Sequence, residues 1–397
     1  MTERIEVVVA GGGYAGVMAA NHLRQRDDVE VTLVNPRPSF VERIRLHQVA
    51  ARTGDAAVDF RDVLGEGIGR VEDTVTRIDA AGRRVSLASG GDLPYDYLVY
   101  AVGSGSRTAG VPGAAELAYP VASLEEATRL RSVLDDAPAA VVTVVGAGPT
   151  GIEVAAELAG GERTVRLVCG GVLGPYLHPR TRPMVARHLG ALGVRVLDGP
   201  STAVVAVEPR AVRLADGRQL PSDITVWAAG FSVPELARRS GLRTDRDGRL
   251  LTDETLTSVD DDRIVAAGDV ASPSGLPFRM SCQAAVPLGA QAANTILSRI
   301  AGTEPAPVSL ALLGECISLG RHDAVIQRAH RDDTATAFHV GGRGVALVKE
   351  TACRLAVASL TREARRPGSV FWIKDRGRAA RVRERIWSDA VRARETA

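Results

Sequence analysis

Two glycine triplets mark where this sequence could hold a phosphate. Gly11, Gly13 and Gly16 follow the apolar run "IEVVVA", and Gly146, Gly148 and Gly151 follow "AAVVTVV". Both triplets read G-x-G-x-x-G and lead into alanine-rich segments of helical character, "YAGVMAANHLRQ" and "IEVAAELAG". In this pattern the first glycine turns the chain tightly, the second lets the backbone approach a pyrophosphate, and the third lets helix pack on strand. The helix then directs free amides and its positive dipole end at the phosphates. One such motif is a weak signal. Two, each with strand and helix in place, predict two dinucleotide sites.

A ribose usually finds an Asp or Glu at the end of the next strand. Here "EVTLVN" ends in Asn35, whose amide can still bond a ribose hydroxyl, and "RTVRLVC" ends in Cys169. With neither a carboxylate nor an adjacent arginine at the second position, NADH and NADPH both stay open. Three more apolar strands end in small-residue turns: "YDYLVYAVGS" at Gly103, "SDITVWAAGFS" at Gly230, and "DDRIVAAGDVA" at Gly268 and Asp269. A carboxylate after a strand-end glycine can accept from a sugar-alcohol hydroxyl at close range, although Gly-Asp alone is an ordinary turn.

These turns need a scaffold, and 397 residues exceed one ordinary core, so two or three domains are expected. Basic and acidic residues number 49 and 47, a balance that gives no argument for a nucleic-acid partner. All but two of the basic residues are arginines, the exceptions being Lys349 and Lys374. The opening "MTERIEVVVAGGG" enters a strand at once, and no apolar run is long enough to span a bilayer. Cys169, Cys282, Cys316 and Cys353 are scattered, with no C-x-x-C. That spacing supports no disulfide framework, no zinc site and no adjacent redox dithiol, and a reducing cytoplasm is expected.

Together these stretches resemble the two-dinucleotide-binding-domain flavoproteins of the pyridine nucleotide-disulfide oxidoreductase superfamily. Within it the sequence is most similar to type II NADH dehydrogenases. The selective matches are "GAGPTGIEVAAELA", "WAAGFSVPELARRSGL" followed by "DRDGRLLTDETL", "IVAAGDVA", "RLHQVA" and "GECISLGRHDAVIQ". The resemblance implies an α/β fold of two Rossmann-like domains plus a C-terminal α+β domain. The FAD domain is discontinuous (1–107 and 252–302), the NAD(P)H domain is inserted (108–251), and an interface domain follows (303–397).

By this resemblance the first turn holds FAD, with Tyr14, Ala15, Arg43, Val75 and Ala101 on its surface, and the second holds NAD(P)H, with Pro149 and Thr150 beside it. Backbone amides of Gln283 and Ala284 would meet the flavin at the start of a helix. Glu153 matches a family glutamate near the nicotinamide–flavin contact. Its bland reading, a first-turn carboxylate complementing the helix dipole, is weakened by Glu157 four residues on and by the expected pyrophosphate. His47 lies between Arg43, Arg45 and Gln48 in a flavin-proximal segment, where an imidazole can donate to a carbonyl or relay a proton. A buried structural histidine fits the same residues, and Arg43 and Arg45 could equally face phosphate or solvent.

The implied activity is NAD(P)H oxidation with electrons passed directly to a small acceptor, quinone-like or otherwise. Cys282 and Pro287 stand where the family's quinone-binding stretch has Ala and Gln, and Pro149 and Thr150 stand where sulfide:quinone oxidoreductases carry a cysteine. A specialised flavoenzyme on a biosynthetic intermediate, a ferredoxin-type reductase and an NAD(P)H-sensing flavoprotein stay open as alternatives. In the tail, "GRAARVRERIWSDAVRARETA", Val382, Ile386 and Ala390 share a helical face near Trp387, amid arginines. That face suits the membrane surface, the protein's own core or a homodimer partner.

Overall fold

The computed structural model describes residues 4–108 and 110–385. Both glycine turns sit at the centre of a five-stranded parallel sheet. The first sheet runs Ile264–Ala266, Tyr97–Tyr100, Ile5–Ala10, Val29–Asn35, Gly69–Glu72. The second runs Ala118–Pro120, Ile224–Trp227, Val141–Val145, Thr164–Val168, Arg195–Leu197. In each, the strand before the glycines is third of five and buried on both faces, which explains near-continuous runs such as "VVVA" and "VVTVV". Each sheet also carries a three-stranded antiparallel companion, Val75–Asp79 with Arg84–Leu87 and Asp92–Pro94, and Val204–Glu208 with Ala211–Leu214 and Gln219–Pro221.

The two turns are built by the same contacts. Gly11 and Gly146 adopt φ of +109° and +108°, which a side chain rarely tolerates. A Cβ on Gly16 would overlap the carbonyl oxygen of Gly11, and one on Gly151 would overlap that of Gly146. The helices that follow, Tyr14–Leu23 and Pro149–Leu158, therefore lie directly on their strands. Both open on a glycine N-cap without a side-chain cap, so their first amides face outward unpaired by any side chain.

Beneath the first turn, Tyr14–Leu23 crosses the long helix Cys282–Ile300 so closely that a Cβ on Gly289 would overlap the carbonyl of Ala15. Val17, Met18, Ala19, Ala20 and Leu23 are all buried in this crossing. The C-terminal part is an antiparallel sheet of Gly314–Ser318, Ala324–Ala329 and Ala335–Gly341 followed by the helix Arg343–Arg365. Three polar ties join it to earlier segments of the chain. Glu363, fully buried, meets His22 Nδ1 at 2.6 Å and accepts from the Val370 amide at 2.8 Å. Arg45 is bidentate to Glu350 at 3.0 and 2.9 Å. Arg378 is bidentate to Glu254 at 2.7 and 3.0 Å and stacks over Phe278.

Val382 is buried, so the described beginning of the tail packs on the protein itself; Ile386, Trp387 and Ala390 lie outside the described residues. Among the described residues no helix is long and apolar enough to cross a membrane.

Overpacking at the two inner glycines should show directly in denaturant titrations. Gly16→Ala and Gly151→Ala are each expected to lose about 1–3 kcal/mol. Gly13→Ala, where nothing lies within 4 Å of the new Cβ, should stay within about 1 kcal/mol of the parent protein.

Candidate active site

One cavity of about 1430 Å³ runs between the halves of the molecule. Its inner wall is the first glycine turn. Gly11, Gly13, Tyr14, Ala15, Asn35, Val75, Ala101, Gly103, Gly268 and Asp269 all line it, together with Gly230 and Gln283. Asn35 Oδ1 accepts from the Gly12 amide at 2.9 Å while Nδ2 donates to the Arg37 carbonyl at 2.8 Å, so the side chain braces the turn as well as facing the cavity. Asp269 accepts from Ser104 Oγ at 2.6 Å, and Arg43 Nη1 lies 3.0 Å from that hydroxyl and 3.4 Å from the carboxylate.

This wall fits a bound dinucleotide. The Cβ positions of Gly13 and Gly103 point into open space, and the buried Tyr14 Oη has no partner among the described residues. Tyr14 itself is fixed edge-on to Phe40 at 4.9 Å, and burial pushes its phenol well above the ordinary range.

Of the second turn, Pro149 and Thr150 reach the cavity, whereas Gly146, Gly148, Gly16 and Gly151 shape the turns without lining it. The helix begins at Pro149, inside the glycine motif, so Glu153 lies beyond the first turn and dipole complementation does not account for it. Its carboxylate is buried and fully engaged. Oε1 pairs with Lys349 Nζ at 2.9 Å and accepts from the Ser318 amide at 3.0 Å, while Oε2 lies 3.7 Å from His47 Nδ1. Burial would raise this carboxyl, but the Lys349 ammonium, His47 and the Ser318 amide outweigh it and hold it below the usual range.

Lys349 also donates to the Cys316 carbonyl at 2.7 Å. Its own burial would lower its pKa, yet the Glu153 carboxylate holds it above normal. His47, 4% exposed, is driven below its ordinary pKa by desolvation and is neutral near pH 7; its buried Nε2 has no partner among the described residues.

Several expectations need correction. Glu157 does not face a pyrophosphate, because it pairs with Thr53 Oγ1 and with Arg321 at 3.7 Å. Arg45 faces neither phosphate nor solvent, being clamped by Glu350 and Glu42. The Ala284 amide is spent on capping: it donates to Ser281 Oγ at 3.2 Å, and Ala284 does not line the cavity. Cys282, Cys316 and Cys353, far apart in sequence, all line the cavity near Lys349. Burial pushes the first two thiols up to about 11 and raises the third, so they are protonated. Lys349 was missed altogether. Its signal was present, as one of two lysines in a chain that otherwise uses arginine.

Beyond Lys349 the cavity opens between the Arg343–Arg365 helix and residues Val370 to Ile373. Leu355, Ala356, Val370, Phe371, Trp372 and Ile373 line this mouth, and Phe371 is 85% exposed.

Residues 5–293 match the sequence profile of the family described as "Pyridine nucleotide-disulphide oxidoreductase". The chain belongs to this family. An NADH dehydrogenase-like protein of Mycobacterium tuberculosis is 34% identical over 323 residues, covering 74% of this chain and 80% of the relative. A type II NADH:quinone oxidoreductase of Staphylococcus haemolyticus is 28% identical, covering 87% and 98%. Among solved structures, the NDH2 of Plasmodium falciparum in complex with NADH superposes with a TM-score of 0.77 at 16% identity, covering 93% of this chain and all of that one. The chain is an enzyme of the two-dinucleotide-binding-domain flavoprotein type.

Removing one partner of the buried ion pair should cost far more than removing both. Lys349→Met is expected to lose about 3–5 kcal/mol by leaving the Glu153 carboxylate uncompensated, and Glu153→Gln in the same chain should recover much of it, which a double-mutant cycle by calorimetry would measure. His47 gives a second test. Its folded pKa is depressed, so the unfolded chain takes up the extra proton and stability falls as pH drops below about 6.5. In His47→Gln that part of the slope between about pH 7 and 5 should vanish.

Proposed function

We propose that this enzyme oxidises a reduced nicotinamide dinucleotide with bound FAD and delivers the electrons directly to a small apolar, quinone-like acceptor. The continuity of one cavity carries the reading: it leads from the first glycine turn past Pro149, Thr150 and Glu153 to an apolar mouth. When bound, FAD supplies acceptance of two electrons from nicotinamide and their release to the second substrate.

The chain's own residues do the rest. Asn35, Asp269 and the open amides after Gly13 face the inner wall, where a ribose, a ribitol chain and a pyrophosphate would be held. Lys349 Nζ places a fixed positive charge at the cavity, which favours charge building up on a bound group, and Glu153 keeps the ammonium in position. Neutral His47, with Nε2 free, offers a proton donor or acceptor within the dry interior.

An electron path without a dithiol is supported by cysteines that are all free and that form no C-x-x-C. The quinone-like acceptor is supported by the apolar mouth and by relatives named as NADH:quinone oxidoreductases. Cys282 and Pro287 both line the cavity, giving its wall a chemistry of its own and favouring an acceptor that needs no amide donor there.

Anaerobic titration of the purified yellow protein with NADH or NADPH should bleach the flavin band near about 450 nm, and a short-chain quinone should restore it. Phe371→Asp is expected to slow the quinone step by roughly tenfold while leaving bleaching unchanged. A yellow protein that neither nucleotide reduces would end this reading.

A further inference from the structure

The second sheet lacks the acid that normally greets a nucleotide ribose, because Thr164–Val168 is followed by Cys169. The fold brings one from the next strand. Val168 pairs in parallel with Leu197, and the Cys169 amide donates to the Leu197 carbonyl at 2.9 Å. Asp198 therefore stands at the carboxyl end of the neighbouring strand, about 4.8 Å across the sheet. This is the edge at which open parallel sheets bind their ligands.

Asp198 is exposed, and glycines follow both neighbouring strand ends, Gly170 and Gly171 after Cys169 and Gly199 after Asp198. A Cβ on Gly171 or Gly199 would meet nothing within 4 Å, and the Gly199 amide bonds the Gly171 carbonyl, tying the two post-strand loops together. Asp198 acts on the Cys169 thiol, which burial first and this carboxylate second push up to about 12. Asp198 itself has no hydrogen-bond or ion-pair partner among the described residues, in a chain whose carboxylates are widely matched to arginines. Arg218, on the loop whose Asp216 amide donates to the Ser201 carbonyl, is already held by the Asp216 carboxylate at 2.8 Å.

We propose that Asp198 replaces the missing strand-end acid, accepting from the adenosine ribose hydroxyls of NADH and repelling the 2′-phosphate of NADPH. This rests on the reading that the enzyme oxidises a nicotinamide dinucleotide. A ribose diol offers donors that a carboxylate accepts strongly. A 2′-phosphate brings two negative charges to the same place, where the Asp198 carboxylate would repel them.

The test is stopped-flow reduction of the flavin-loaded protein by NADH and by NADPH, comparing the parent with Asp198→Asn and Asp198→Arg. The parent should favour NADH by about tenfold or more in apparent second-order rate constant. Asp198→Asn should shrink that preference several-fold, and Asp198→Arg should reverse it. The limiting rate at saturating nucleotide should not change, because the adenosine end takes no part in the transfer; a general structural defect would lower that rate too. Equal use of both nucleotides by the parent, or a preference unaltered by either substitution, overturns the assignment of Asp198. Failure of both nucleotides to reduce the parent's flavin rejects instead the nicotinamide-oxidising reading, and this inference with it.

Discussion

The buried Glu153–Lys349 ion pair is the contact on which the arrangement of the site depends. It joins the helix after the second glycine turn to the C-terminal helix, and through Ser318 and Cys316 it reaches the strand between them. His47, from the first half of the chain, closes the group. Four separated segments thus meet around one pair of opposite charges. Burying such a pair is costly, and it is sustained only where each charge is met by further polar partners. Here the Ser318 amide and the Cys316 carbonyl provide them. The pair therefore defines where the C-terminal part sits as well as the charge of the cavity.

Around that pair, the two halves repeat one solution. In both, a glycine carbonyl presses against the α-carbon of another glycine five residues later, which brings a helix down onto its strand and leaves its first amides open. The repeat ends where function diverges. The first turn faces the large cavity along its length, while the second offers it only Pro149, Thr150 and Glu153.

The C-terminal part has its own fastenings, Glu363 to His22, Glu350 to Arg45 and Glu254 to Arg378. Each joins that part to an earlier segment of the chain. Glu363 also grips the amides of Gly368 and Val370, at the start of the segment that carries Phe371 to the mouth. Exposed aromatic surface at the mouth is thus presented on a backbone anchored at its root.

Local pattern determined the parts that depend on backbone shape. G-x-G-x-x-G between an apolar run and an alanine-rich helix forces a tight turn whatever surrounds it, so both turns and their strands could be read directly, while the helix at Cys282 was implied by the family resemblance. Gly103, Gly230 and Asp269 were legible at strand ends for the same reason. Side-chain partnerships were not, because they join residues hundreds of positions apart whose meeting depends on packing. Glu153 was visible, but Lys349, 196 positions later by the numbering, could be matched to it only in three dimensions. Arg45 and Glu157 looked free until Glu350 and Arg321 appeared beside them. Spacing showed that no two cysteines form a local dithiol, while only the tertiary fold brought three of them to one cavity. The sequence by itself determined two glycine turns, each between strand and helix, since those are set by glycine's missing side chain. Which charges face each other across the site was decided by the tertiary structure, since burial makes an unpaired charge too costly to leave and folding alone selects its partner.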